Sequence, residues 1–317
     1  MRGRGRGGAR RLLPGAAVWL AGAALGFGSA AADPSGFQNP EAVTVLGYGG
    51  ELMEPFLARD GETLFFNNRN DPKVDTNLFL AHRVDGLAFA FVGPLEGVNS
   101  SALDAVASLD EEGNFYFVTT RSYAQDFRTL YRGRYAGGAV TDVAPVEGIA
   151  RGRAPYVNFD AEISADGATL VYVEGVKRMP GAGWIEADLK LAARTQEGFA
   201  PDPRSDEILA AVNTEAWEYA PAISPDGREL FFTRLTASLF VPLVGAPVSP
   251  KLEILRASRP SADAPFRAPV AVAAIAGFVE APTLSPDGLA LYYHAMVEKR
   301  FALFRVTRGA VPDPAAE

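Results

Sequence analysis

Five acidic positions recur at similar places along the chain, each seven to nine residues before a glycine that ends a short turn phrase. Carboxylates that face each other across a channel, about 5 to 10 Å apart, can act as acid and base on a glycosidic bond. They can also accept hydrogen bonds from a bound molecule. The positions are Glu54, Asp104, Asp160 (with Glu162 beside it), Glu218 and Glu280.

A second polar set follows the same glycines. Arg69 and Arg121 each lie eight residues after their glycine, so we expect them to occupy equivalent places in neighbouring units. With the acids, this set predicts a polar site for a sugar, a peptide or a metabolite. The alternative interpretation is that the charges pair with one another and tie the units together, which needs no ligand. The candidate binding residues are Glu54, Asn67, Asn68, Arg69, Asp104, Arg121, Asp160, Glu218, Tyr219, Arg234, Glu280 and His294.

Other chemistries have no support in the sequence. The two histidines, His82 and His294, lack the short spacing of a zinc motif. The chain has no Gly-x-Ser-x-Gly elbow and no phosphate-binding glycine loop. We therefore assign no catalytic residue, and we expect neither a metal nor a cofactor.

The elements that position these residues are identified by a recurring phrase close to Ser-Pro-Asp-Gly, set between an apolar strand and an aromatic one. A period of 52 to 61 residues indicates stacked copies of one supersecondary unit. The Asp-Gly pair is expected to supply the positive backbone angles of a tight hairpin. The five glycines are Gly61, Gly113, Gly167, Gly227 and Gly288.

A third strand-like run follows each hairpin, for example NLFLAHR at 77–83. A looser fourth run follows it in the first four copies, for example FAFVGPLEGV at 89–98. Four short antiparallel strands per unit are typical of a propeller blade. The fifth copy lacks its fourth strand, and we expect the N-terminal strand at 40–49 to complete it, because an unpaired edge invites aggregation. The sequence therefore predicts an all-β fold, a five-bladed β-propeller of four-stranded antiparallel blades. Residues 33–317 form this single domain, with blades that begin near residues 52, 104, 159, 218 and 279.

The turn phrase resembles the repeat of the TolB-type, WD-like β-propeller family, whose mark is Ser-Pro-Asp-Gly followed two residues later by an apolar and two aromatic residues. The match is closest at 224–232 and 285–293, and the resemblance covers residues 40–308. It implies a propeller that serves as a binding scaffold. The TolB role is not implied, since TolB-type proteins usually carry six blades and an additional N-terminal domain.

The N-terminal residues 1–32 have the three parts of an export signal. Five arginines precede an apolar stretch at 12–27, and Ala30, Ala31 and Ala32 supply the small residues of a cleavage site. We expect cleavage after Ala32 and an ordinary secretory signal rather than a twin-arginine one. The protein is therefore predicted to be exported, either periplasmic or secreted.

The composition excludes several classes of partner. Cleavage removes five arginines and no acid, so the formal net charge falls from −8 to −13, which argues against nucleic acid as a partner. No other segment is apolar enough to span a bilayer, which argues against an integral membrane protein. The chain has no cysteine, so disulfides, thiolate metal sites and a lipid-attached N-terminus are excluded.

Three functions stay open at this stage, and one of them is a purely structural module of an envelope complex. The first is an exported, non-catalytic binding propeller that holds an envelope protein, a peptide or a glycan at its channel mouth. The alternative is a carbohydrate-active enzyme, a glycoside hydrolase or lyase, that uses the carboxylates of the mouth. An apolar loop at 235–250 either contacts a partner or folds back over the rim.

Overall fold

The computed structural model describes residues 35–71, 75–177, 184–236 and 251–309. The predicted signal peptide and residues 237–250 of the apolar loop lie outside these ranges. The two helices in the described ranges have four residues each, and neither is long and apolar enough to cross a membrane. They are α1 (Tyr123–Asp126) and α2 (Ser205–Ile208).

The strands follow one another in groups along the chain, after a first strand β1 (Gln38–Leu46). The first group is β2 (Met53–Leu57), β3 (Thr63–Asn67), β4 (Leu78–Arg83) and β5 (Ala88–Pro94). The second is β6 (Asp104–Leu109), β7 (Asn114–Thr119), β8 (Leu130–Ala136) and β9 (Ala139–Pro145). The third is β10 (Tyr156–Ile163), β11 (Thr169–Lys177), β12 (Trp184–Arg194) and β13 (Phe199–Pro201). The fourth is β14 (Trp217–Ile223), β15 (Glu229–Thr236), β16 (Lys251–Ser258) and β17 (Val270–Ala271), and the last is β18 (Val279–Leu284), β19 (Ala290–Val297) and β20 (Arg300–Thr307).

Each group forms an antiparallel meander in chain order. Strand β1 pairs antiparallel with β20 from Gln38 to Val43 and parallel with β5 from Thr44 to Leu46. One sheet therefore runs through eight strands, and the other three sheets have four strands each. An all-β chain of several four-stranded sheets is consistent with a β-propeller.

The first strand of each group, here called the inner strand, contacts the inner strand of the next group. These contacts run from β2 to β6, β10, β14 and β18, and β18 in turn contacts β2. The core is divided in the same way into five clusters, each shared by two neighbouring groups. The rings of Phe65 and Phe115 join the first group to the second at 5.3 Å, and those of Tyr292 and Phe89 join the last group to the first at 6.4 Å.

Hydrogen bonds inside the Ser-Pro-Asp-Gly turns explain why this phrase recurs. Each turn glycine has a φ between 67° and 86°, but the aspartates before them are not in the left-handed region, contrary to the expectation for an Asp-Gly pair. Instead, Oδ1 of Asp226 accepts hydrogen bonds from Oγ of Ser224 at 2.6 Å and from the backbone N–H of Arg228 at 3.0 Å. The Ser224 hydroxyl in turn accepts the N–H of Glu229 at 2.9 Å. The serine and the aspartate therefore hold the loop, and the glycine supplies its one left-handed residue.

In four groups an arginine stabilises this turn, and it is either the last residue of the third strand or the residue directly after it. Its Nε donates to the carbonyl of the turn glycine at 2.5 to 2.7 Å, and its guanidinium lies over a phenylalanine ring at 4.3 to 5.2 Å from the centroid. In three groups the phenylalanine follows later in the same group, whereas in the last group it is Phe37, at the N-terminal end of the described chain. The pairs are Arg83 with Phe89, Arg194 with Phe199, Arg259 with Phe266, and Arg308 with Phe37.

Candidate functional site

A cavity of about 470 Å³ opens at the ends of the inner strands that lie away from the turn glycines. All five inner strands contribute to its wall, so the cavity lies where the groups meet. Its size is within the range of small-molecule sites. The lining residues that concern the chemistry are Glu54, Asn70, Tyr123, Phe159, Asp160, Trp217, Tyr219, Glu280 and His294.

Backbone irregularities in the inner strands place two of the three carboxylates. Glu54 and Asp160 have positive φ angles of 48° and 38°, each where the pairing with the following strand shifts register. Val106, Ala220 and Ala281 occupy the same place in the other inner strands, with similar angles. A bulge re-aims side chains relative to the regular alternation. Glu280, the third carboxylate, directly precedes this place in β18.

Glu280 is held by two neutral groups. The hydroxyl of Tyr219 donates to Oε1 of Glu280, and Nε2 of His294 lies 3.3 Å from Oε2. The Nδ1 atom of His294 accepts the backbone N–H of Glu54 at 3.0 Å, so the ring hydrogen belongs on Nε2 and points to Glu280. Burial raises the pKa of Tyr219, and the negative charge of Glu280 raises it further. Tyr219 therefore stays a proton donor at every physiological pH.

Glu54 is a buried carboxylate with little compensation. Only 8% of the residue is exposed, and Oε1 accepts a hydrogen bond from Nδ2 of Asn70 at 2.8 Å. Its Oε2 atom is buried and has no hydrogen-bond partner among the described residues. Burial raises the pKa of Glu54 well above its ordinary value, and the nearby charges of Asp160 and Glu280 raise it further, whereas the side-chain amides of Asn67 and Asn70 offset part of the rise.

The Oδ2 atom of Asp160 accepts a hydrogen bond from the backbone N–H of Ala220 at 3.2 Å. Burial, and then the charge of Glu280, raise the pKa of Asp160 from 3.8 to about 7. The group is therefore close to half-protonated at neutral pH, where a carboxyl can either give or accept a proton.

Apart from Thr120, Thr129 and Asn158, the rest of the wall is aromatic and apolar. Phe159, Trp217 and Tyr219 are half-buried, and no lysine or arginine occurs among the described residues that line the cavity. Phe159 and Trp217 are not among the site residues predicted from the sequence, although each directly precedes a predicted acid. Their position next to these acids is the sequence signal that could identify them.

Asp104 and Glu218 do not line this cavity. Each is fully buried and closes the loop before its own strand. Asp104 accepts Ser100 N–H and Oγ at 2.6 and 2.7 Å and pairs with Arg121 at 2.7 Å. Glu218 likewise accepts hydrogen bonds from the N–H and Oγ1 of Thr214, and it pairs with Arg234 at 2.6 Å. The second interpretation of the sequence, in which charges pair with one another, therefore describes these four residues.

The remaining candidates from the first group also lie outside the described lining. Asn67 is fully buried and donates through Nδ2 to the carbonyl of Arg69 at 2.7 Å. Asn68 accepts the N–H of Asn77 at 2.9 Å and shapes the loop. Arg69 is exposed. Arg69 and Arg121 therefore do not act alike, although they are equally far from their glycines.

Three residues located six positions after a turn glycine make the same kind of hydrogen bond, which the sequence did not predict. The side chains of Asn67, Thr233 and His294 accept the N–H of the irregular residue in the next inner strand, at 3.0 to 3.4 Å. The acceptor in the third group is missing because Val173 stands there, and Asp160 takes the N–H of Ala220 instead. These bonds satisfy buried backbone donors between groups.

Comparison with known proteins identifies the fold class. No protein-family model matches the sequence, and no curated protein matches it. A family 117 glycoside hydrolase of the marine bacterium Zobellia galactanivorans aligns with a TM-score of 0.57 and 10% identity over 89% of this chain and 94% of that one. A putative exo-β-1,3-galactanase of Bifidobacterium bifidum aligns with a TM-score of 0.51 and 10% identity over 88% and 93%. TolB of Acinetobacter baumannii aligns with a TM-score of 0.42 and 11% identity over 82% of this chain and 54% of that one.

These similarities support a propeller-type family. At such identities they concern the fold alone, and a fold hosts many unrelated functions. Of these three, the two alignments with a TM-score above 0.5 are to a glycoside hydrolase and a putative galactanase, so the comparison does not specifically support the TolB-type resemblance of the turn phrase.

Proposed function

We propose that the chain forms a closed five-bladed β-propeller in which β1 completes the last blade. Support comes from the five shared core clusters and from the contact of β18 with β2. The position of Phe37 under Arg308 adds to it, because the equivalent rings Phe89, Phe199 and Phe266 belong to the segments after the third strands.

We propose further that the protein is exported and that residues 33–317 are the mature domain. The basic, apolar and small-residue parts of residues 1–32 support an ordinary secretory signal with cleavage after Ala32. N-terminal sequencing of the protein expressed in a bacterial host with an intact secretion system tests this. The expected mature N-terminus is Asp33, and retention of Met1 in the folded protein contradicts the proposal.

The proposed function of the mature protein is to hold a saccharide in the cavity between the inner strands without changing it chemically. The observation that carries this is the composition of the wall, in which carboxylates with no guanidinium partner among the described residues lie beside half-buried aromatic rings. Carboxylates are acceptors for sugar hydroxyl groups, and aromatic side chains pack against apolar faces. Among a protein, a peptide and a glycan, the glycan fits best because a sugar ring has hydroxyl donors at its edge and an apolar face.

The test is calorimetric titration of mature protein with defined neutral, acidic and amino-bearing oligosaccharides. At least one is expected to bind, and Glu280→Gln and Trp217→Ala are each expected to weaken its binding by about tenfold or more. Glu112→Gln is the matched control, because Glu112 is exposed in the second turn, at the other end of the strands. The proposal fails if no oligosaccharide binds, or if all three variants bind as the wild-type protein does.

Hydrolysis of a glycosidic bond is the second candidate. It is favoured by Glu54 and Asp160, two carboxylates in one cavity whose pKa values are raised by burial. A carboxyl with a raised pKa can protonate a leaving group while an ionised partner activates water or attacks the sugar. Oligosaccharides that bind are therefore incubated with the protein and analysed for new reducing ends. Product formation that is lost in Asp160→Asn supports hydrolysis, whereas bound but intact sugar supports the first proposal.

A further inference from the structure

The described wall of the cavity carries acidic groups and no lysine or arginine. Its described lining contains Glu54, Asp160 and Glu280, and its other titratable groups are Tyr123, Tyr219 and His294. The imidazole is uncharged in this arrangement, because Nδ1 accepts a hydrogen bond from Glu54 N–H. Ionised carboxylates here have only neutral neighbours in the described wall. Acids that are buried without a cationic partner are rare, since the charge is costly to desolvate.

The contrast with the other buried acids of the chain makes this arrangement specific. Glu162, two residues after Asp160, pairs with Arg59 at 3.2 Å, and Asp104 and Glu218 have their own arginines. These groups are compensated inside the protein. Glu54 instead keeps a buried Oε2 atom with no hydrogen-bond partner among the described residues. The missing donor is therefore expected to come from a molecule in the cavity.

A metal ion is a poor match for the missing charge. Within the described ranges, no three acidic or histidine side chains are placed so that they could hold a metal ion together. The half-buried rings of Trp217 and Tyr219 in the same wall suit an organic cation, because aromatic faces attract ammonium groups.

We propose that the cavity selects a saccharide with a free, protonated amino group, an amino sugar, whose ammonium group lies against Glu54 and Asp160 with the sugar ring beside the aromatic wall. This inference rests on the proposed binding of a saccharide and narrows it to one chemical class. The ammonium group supplies the donor that Glu54 Oε2 lacks. It also offsets the mutual repulsion of the three carboxylates.

The test compares three oligosaccharides with the same β-1,4 linkage and length, built from glucosamine, N-acetylglucosamine or glucose. They differ at carbon 2, which carries an ammonium group, an acetamide or a hydroxyl. Calorimetric titration near neutral pH is expected to show at least tenfold tighter binding of the glucosamine oligomer. Glu54→Gln and Asp160→Asn are expected to remove this preference, and the Glu112→Gln control is expected to keep it.

Equal affinity for the three oligomers, or tighter binding of the acetylated or hydroxyl form, overturns the inference and leaves saccharide binding intact. If a variant does not fold, as judged by circular dichroism, the comparison of the three oligomers on the wild-type protein still tests the inference.

A lysine tetrapeptide is titrated in parallel. Binding of that peptide with no binding of any sugar means that the amine recognition holds and the saccharide proposal fails. Absence of binding by all four probes overturns both.

Discussion

The Nδ1 atom of His294 in β19 accepts the backbone N–H of Glu54 in β2 at 3.0 Å, across 240 positions of sequence. This bond joins the last group of strands to the first. Asn67 and Thr233 make the same kind of bond between other neighbouring groups, to Val106 and Ala281. His294 therefore has two tasks, since it also contacts Glu280 in the cavity.

The first prediction separates these tasks. His294→Asn keeps a side-chain oxygen for the Glu54 N–H, as Asn67 does in its group, whereas His294→Leu leaves a buried donor unsatisfied. The leucine variant is expected to be about 1–3 kcal/mol less stable than the asparagine variant in urea unfolding. Both variants lose the imidazole beside Glu280, so their difference reports the acceptor. Equal stability of the two variants would show that this bond does not stabilise the fold.

The second prediction concerns the N-terminal segment. Phe37 is fully buried, with its ring 5.7 Å from that of Phe231 and under Arg308. Phe37→Ala is expected to cost about 3–5 kcal/mol in the free energy of unfolding. Val84→Ala is the control, because Val84 is 57% exposed and its loss should stay within about 0.5 kcal/mol. Equal stability of the two variants would contradict the proposal that the N-terminal segment, with Phe37, completes the last blade.

The third prediction separates two arginines that the sequence treats alike. Arg121 pairs with fully buried Asp104, so Arg121→Ala leaves a buried charge unpaired and is expected to cost about 2–4 kcal/mol. Arg69 is exposed, and Arg69→Ala is expected to change stability by less than about 0.5 kcal/mol. Thermal and urea unfolding measure both. The structural role of the Arg121–Asp104 ion pair is refuted if the Arg121→Ala variant unfolds like the wild-type protein but loses ligand binding.

The fourth prediction follows from the raised pKa of Asp160. The folded state holds this proton up to about pH 7, whereas the unfolded chain releases it near pH 3.8. The folded state therefore binds more protons between these values, and the free energy of unfolding falls as the pH rises through them. Asp160→Asn removes this pH-dependent loss of stability, and the asparagine side chain can still accept the Ala220 N–H.

The variant is thus expected to gain stability relative to the wild-type protein from pH 4.5 to pH 8, by about 2–4 kcal/mol. Urea unfolding across this range measures the difference. Parallel pH profiles of the two proteins would mean that Asp160 titrates at its ordinary pKa in the folded state.

The hairpins could be predicted from the sequence because their determinants are local. A glycine with positive φ and a serine and an aspartate that bond within five residues leave a readable phrase, as at Ser224, Asp226 and Gly227. The second copy departs from the phrase because Asp110 replaces the serine and accepts the N–H groups of Glu112 and Asn114 itself.

The candidate site could be predicted only in part, because the backbone irregularities decide which acids face the cavity. Glu54 and Asp160 lie seven residues before their glycine and line the cavity, whereas Asp104 and Glu218 lie nine residues before theirs and close loops. Alternation along a regular strand would place all four on one face. The register shift interrupts this alternation between the ninth and the seventh residue before the glycine.

A crystal structure of the mature protein with the glucosamine oligomer at saturating concentration shows whether the ligand binds in the cavity lined by Glu54, Asp160 and Glu280. We expect a sugar ring beside Trp217, with its amino nitrogen within hydrogen-bond distance of Glu54 or Asp160. Sugar bound elsewhere on the protein, with none in this cavity, would contradict it.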